Sequence, residues 1–88
     1  MSQVPSVGRI VHYVLPDGRS KGEVRPAIII RVWSQTCVNL QVFIDHTNDY
    51  PIPQVEDLWR TSVMEGDKDQ LGTWFWPPFV GPIATSYK

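Results

Sequence analysis

Arg25-Pro26-Ala27-Ile28-Ile29-Ile30-Arg31-Val32-Trp33 is the stretch on which the fold turns. β-Branched side chains are stiff at χ1 and pack well on a pleated surface, so the run after Pro26 reads as a strand. A strand with one wet face alternates apolar and polar residues. Ala27 to Ile30 do not alternate, so both faces are covered and the strand is central in its sheet. Pro26 has no amide donor and belongs at the strand's start. With Ile28, Ile30 and Val32 turned to the core, Ala27, Ile29, Arg31 and Trp33 face outward beside Phe43. An outer patch of that kind exceeds what a monomer ordinarily exposes. Covering it is worth several kcal/mol, so a homo-oligomer is expected, a dimer or a tetramer of dimers, with Ala27, Ile29 and Phe43 in the interface. The alternative cover is the chain after Pro78, folded back.

Working outward, Arg9-Ile10-Val11-His12-Tyr13-Val14-Leu15 is the preceding strand, with Val11, Tyr13 and Leu15 as its core face and His12 on the other. Pro16-Asp17-Gly18 is a turn signal, and Arg19 to Glu23 continues it as a charged hairpin loop. Past the central strand, Ser34-Gln35-Thr36 suits a short hairpin. Cys37 to Asp45 then alternates cleanly, placing Val38, Leu40, Val42 and Ile44 on one face. Residues 46–58 form a long connection carrying Pro51 and Pro53, and loops of this length are often functional. Trp59 to Met64 is a fourth strand, with Trp59, Thr61 and Val63 on one face. Glu65 to Gly72 is a polar turn, and Thr73-Trp74-Phe75-Trp76 is a last strand closed by Pro77-Pro78.

Five short strands in 88 residues describe an all-β fold, a small five-stranded antiparallel SH3-like barrel with a long loop and an extended C-terminal tail. An open five-stranded sandwich is the main alternative. The barrel domain is drawn at 1–78 and the tail at 79–88.

A net charge of −1 with no basic block disfavours duplex nucleic acid as a partner. The single Cys37 cannot close an internal disulfide, and no apolar run approaches the ~20 residues of a membrane span. A cytoplasmic location without membrane association is expected. No metal-ligand spacing, phosphate loop or nucleophile elbow is present, so no catalytic residue, metal or cofactor is assigned and an enzyme is not expected. Asp45-His46-Thr47-Asn48-Asp49 is the densest polar cluster. It reads first as a turn whose side chains bond their own backbone, and second as a cation site.

The tryptophans carry more information. Trp74 and Trp76 share one face of the last strand. If Phe75 fills the barrel, both indoles stand outside, either as an outer mini-core or as a stacking platform for a planar ligand or peptide. In the reverse register both lie inside.

Gly8-Arg9-Ile10-Val11-His12-Tyr13-Val14-Leu15, Arg25-Pro26-Ala27-Ile28-Ile29, Val32-Trp33, Asn39-Leu40-Gln41-Val42-Phe43, Thr47-Asn48-Asp49, Thr61-Ser62-Val63 and Gly72-Thr73-Trp74-Phe75-Trp76-Pro77 together resemble a family of small bacteriophage and prophage proteins. The likeness runs from Gly8 to Pro77. Relatives often carry His where this chain has Phe75, and Gly where it has His46. The resemblance implies a phage protein acting in the host cell cytoplasm. Within that setting the expected function is an oligomeric sponge that sequesters a small anionic nucleotide of host defence without turning it over. Trp33, Trp74, Trp76 and Tyr13 would stack bases, and Arg9, Arg25 and Arg31 would hold phosphates. His12, Asn48 and Asp49 would read ribose or base edges. The alternative is a virion-associated or host-protein-binding module using the same tryptophans.

Overall fold

The computed structural model describes residues 3–45, 49 and 58–78. These are all-β: β1 is Ile10–Val14, β2 Val24–Val32, β3 Cys37–Val42, β4 Trp59–Met64 and β5 Trp74–Phe75. The strands pair antiparallel in the order β4-β3-β2-β1-β5, with the long β2 in the middle, and curl into a half-barrel. The end of β4 swings back to β5, where the Gly66 N–H donates to the Trp74 carbonyl at 2.8 Å. Only glycine fits there, because a Cβ on Gly66 would lie 2.6 Å from Thr73 Oγ1. Residues 79–88 and most of the 46–58 connection, including His46, lie outside the described residues.

Val11, Tyr13, Leu15, Val38, Leu40 and Val42 fill the concave side, as the alternation in β1 and β3 predicts, joined by Leu58, Val63 and Trp74. The central strand corrects the expectation. Ala27 and Ile29 are fully buried in the core, while Ile28 is half-buried and Ile30 is exposed. The interface expected at Ala27 and Ile29 therefore does not exist on those side chains. A bulge explains the inversion. Ile29 faces Leu40 and Arg31 faces Asn39, so β2 spends two steps where β3 spends one. The extra residue, Ile30, switches the phase, which is why Arg31 points outward and Val32 packs on the core even though Ile28 does not.

A second bulge sits across β3. Val38 faces Val63 and Leu40 faces Arg60, so β4 takes three steps to two, with Ser62 at φ 55°. Trp59 and Val63, expected on one face, are thereby separated: Trp59 turns outward and Val63 inward. Asn39 joins the two irregularities. Its Oδ1 accepts from Trp33 Nε1 at 2.9 Å, from the Ser62 N–H at 2.8 Å and from Thr61 Oγ1 at 3.0 Å. One buried amide oxygen thus takes the backbone N–H that the β4 bulge leaves out of the ladder, together with two side-chain donors, the Trp33 indole and the Thr61 hydroxyl. Asn39→Ala is expected to cost about 2–3 kcal/mol, because it strands these donors together. Urea denaturation reads this directly, and a loss below ~0.5 kcal/mol would mean that the bulges hold without it.

Candidate functional site

β5 is two residues long, and its register settles where the indoles go. Tyr13 faces Trp74 and His12 faces Phe75 across the β1–β5 ladder. Tyr13 belongs to the core, so Trp74 points inward with it, fully buried, its Nε1 donating to the Thr36 carbonyl at 3.1 Å. The reverse register holds: Trp76 follows Trp74 to the inner side, packs against the core and meets it edge-on, ring centroids 5.4 Å apart. Phe75 takes the outer side, edge-on to His12 at 5.4 Å.

The expected ligand residues divide accordingly. Tyr13 and Trp74 are core side chains and offer no stacking face. Burial pushes the Tyr13 hydroxyl above its ordinary pKa, and the neighbouring Arg60 guanidinium opposes this. Arg25 and Asp49 hold each other, Arg25 Nε and Nη2 meeting the two carboxylate oxygens at 2.7 and 2.6 Å. Asp49 is fully buried, and its Oδ2 also accepts the Asp45 N–H at 2.7 Å. The two-pronged bond from Arg25, aided by the Ser20 hydroxyl and the Asp45 amide, outweighs burial and holds the Asp49 carboxyl well below the ordinary carboxylate range. This is a brace tying the β1–β2 loop, β2 and the segment after β3, and its polar groups are occupied. Asp45 and Asp49 are also bonded to each other, the Asp49 N–H donating to the Asp45 carbonyl at 2.8 Å. Asn48 lies outside the described residues. Arg31 stacks on half-exposed Trp33, its guanidinium carbon 4.1 Å from the ring centroid, on the convex face away from β5.

Arg9 and Trp76 remain together. The Arg9 guanidinium lies over the Trp76 ring at 4.9 Å, steadied by Gln3 Oε1 at 2.7 Å. Beside them a hollow of ≈ 500 Å³ opens at the seam between β5 and the turn after β4, lined by Phe75, Trp76, Pro78, Gly66, Asp67 and Lys68. Its wall is nearly all apolar. Trp76 Nε1 is buried and has no hydrogen-bond partner among the described residues, and a buried donor without one costs free energy. Phe75, Pro78 and Lys68 were not expected here. Their signal in the sequence is the pairing of Gly66-Asp67-Lys68 with Trp-Phe-Trp-Pro-Pro, a tight turn facing an aromatic strand that prolines stop abruptly.

Among the described residues no three His, Cys, Asp or Glu side chains gather as a metal site. No helix among them is long and apolar enough to cross a membrane. No family model, curated protein or solved structure shows a significant match to this chain.

Proposed function

We propose that the protein is a non-catalytic binding module of the SH3-like barrel type, which grips an extended, proline- or aromatic-bearing peptide segment of a protein partner in the hollow at Trp76. The observation that carries this reading is the hollow's lining: two aromatic rings and a proline against a polar turn, with little polar surface. Apolar pockets with a few polar groups at the rim suit apolar side chains of a ligand, and an indole ring is a common anchor for proline segments. In the phage setting that the sequence resemblance implies, the partner is a host or virion protein.

A second reading, the nucleotide sponge, is favoured by one feature, Arg9 stacked on Trp76 with Lys68 across the hollow. A base would take the place beside the indole, and the two cations would face its phosphates. Against it stands the loss of Tyr13, Trp74, Arg25 and Asp49 to structural roles.

Selection of a displayed peptide library on the protein separates the two. The expected result is enrichment of proline- and aromatic-containing segments whose binding falls at least tenfold in Trp76→Ala and is unchanged in Trp33→Ala. Thermal stabilisation by a cyclic dinucleotide or ADP-ribose derivative, abolished in Arg9→Ala, would overturn the peptide reading in favour of the sponge.

A further inference from the structure

The convex face of the sheet is unusually apolar, and the register shows how it is built. Residues directly opposed across a ladder share a face. One row runs Ile10–Ile28–Gln41–Trp59 across β1, β2, β3 and β4. The next runs Phe75–His12–Pro26, and Phe43 extends it by donating its N–H to the Pro26 carbonyl. Above them Ile30 and, past the bulge, Arg31 both face outward, the Trp33 indole donates to Asn39, and Met64 lies opposite Cys37. An antiparallel sheet with a wet face would carry polar residues in these rows. Here the one charged side chain among them, Arg31, is laid flat on Trp33.

We infer that this face is a two-fold interface between two copies of the chain, centred on Ile28 and Gln41. Three observations select a second copy over another occupant. Ile10, Ile30, Trp33, Phe43, Trp59 and Met64 are each 41–58% exposed. Together they present on the order of 600 Å² of side-chain surface, at the top of what a monomer shows and close to the ~800 Å² per partner of a stable dimer. The rows hold almost no charge, so the face meets its own copy without like-charge repulsion and gives a different protein no charge pattern to select on. At the centre the Gln41 amide is both donor and acceptor, a group that pairs with itself across a two-fold axis. Two such faces stack as a sandwich about 10 Å apart. The interface does not rest on the ligand reading: its outer row meets the hollow only at Phe75 and leaves Trp76 outside it. Self-association, expected in the sequence on Ala27 and Ile29, is thus carried by the opposite face of the sheet.

Sedimentation equilibrium of the full chain tests this. The expected mass at about 50 µM is twice the 10.1 kDa of one chain. Trp59→Lys and Ile10→Lys are each expected to weaken association about a hundredfold with an unchanged far-ultraviolet circular dichroism spectrum, and Leu71→Lys, exposed but off the face, to leave it intact. Should the lysine variants fail to fold, Gln41→Cys in a Cys37→Ser background decides. Mild oxidation should link it quantitatively into dimers at low protein concentration. A wild-type chain that sediments as a monomer, or a dimer that neither the lysine variants nor the Gln41→Cys cross-link touches, would overturn the inference.

Discussion

Trp74→Ala is expected to lower stability by about 3–5 kcal/mol, the usual cost of deleting a buried large aromatic side chain. Trp74 is fully buried among core residues contributed by all the other strands. It is half of a two-residue strand, so its indole anchors an element with few other bonds. The substitution also leaves the Thr36 carbonyl without the Nε1 donor and removes the surface on which Trp76 rests. A domain of this length holds only ~5–10 kcal/mol in all, so the variant is expected to melt at least about 15 °C lower and to be partly unfolded near 37 °C. Circular dichroism melts and urea titration measure this. A loss below about 1 kcal/mol would place the indole outside the core, where the half-exposed Trp33 is the appropriate comparison.

The second large effect is expected at the brace. Asp49→Ala leaves Arg25, largely buried, without its carboxylate and releases the Asp45 amide and Ser20 hydroxyl. Breaking a buried pair from one side costs about 3 kcal/mol, and the small exposed part of the guanidinium limits it to that. Acid should reproduce the loss. The folded-state pKa of Asp49 is depressed below its ordinary value of 3.8, so the unfolded chain binds the proton more readily. Its contribution is therefore fully present above the ordinary carboxylate range, begins to fall as pH drops through about 4, and continues falling toward the folded-state value. In that window stability declines with a slope of up to about 1.4 kcal/mol per pH unit from this one group. Asp49→Asn should lack that component. Equal acid slopes in the wild type and in Asp49→Asn would show that other carboxylates carry the acid response.

Much of the frame is legible in the sequence alone. The alternation of β1 and β3, the Pro16-Asp17-Gly18 turn and the stop at Pro77 are local signals that a pleated strand or a tight turn needs wherever it sits, whereas Pro26, expected at the strand's start, lies two residues inside β2, opposite His12. The candidate site was legible in part. The sequence points to Trp76 and Arg9, and the structure brings them together. It also points to Arg25 and Asp49, yet a bidentate geometry suited to phosphate is equally suited to a carboxylate of the same chain. No spacing in the sequence brings residues 25 and 49 within bonding distance. Tyr13 and Trp74 were assigned to stacking because residue type alone does not distinguish a ligand platform from a core filler.

What the sequence by itself determined is the number, order and character of the strands, because apolar periodicity and the dihedral limits of proline and glycine act over a few residues. Only the tertiary structure decided which face each central residue takes. One extra residue in β2 and one in β4 reverse the phase of their strands, and whether a strand accommodates that residue depends on a partner across the ladder. Here the partner is the buried Asn39 oxygen, to which Trp33, Thr61 and Ser62 all donate. The same dependence on a facing strand turned Ile29 inward and Ile30 outward, and put Trp74 in the core.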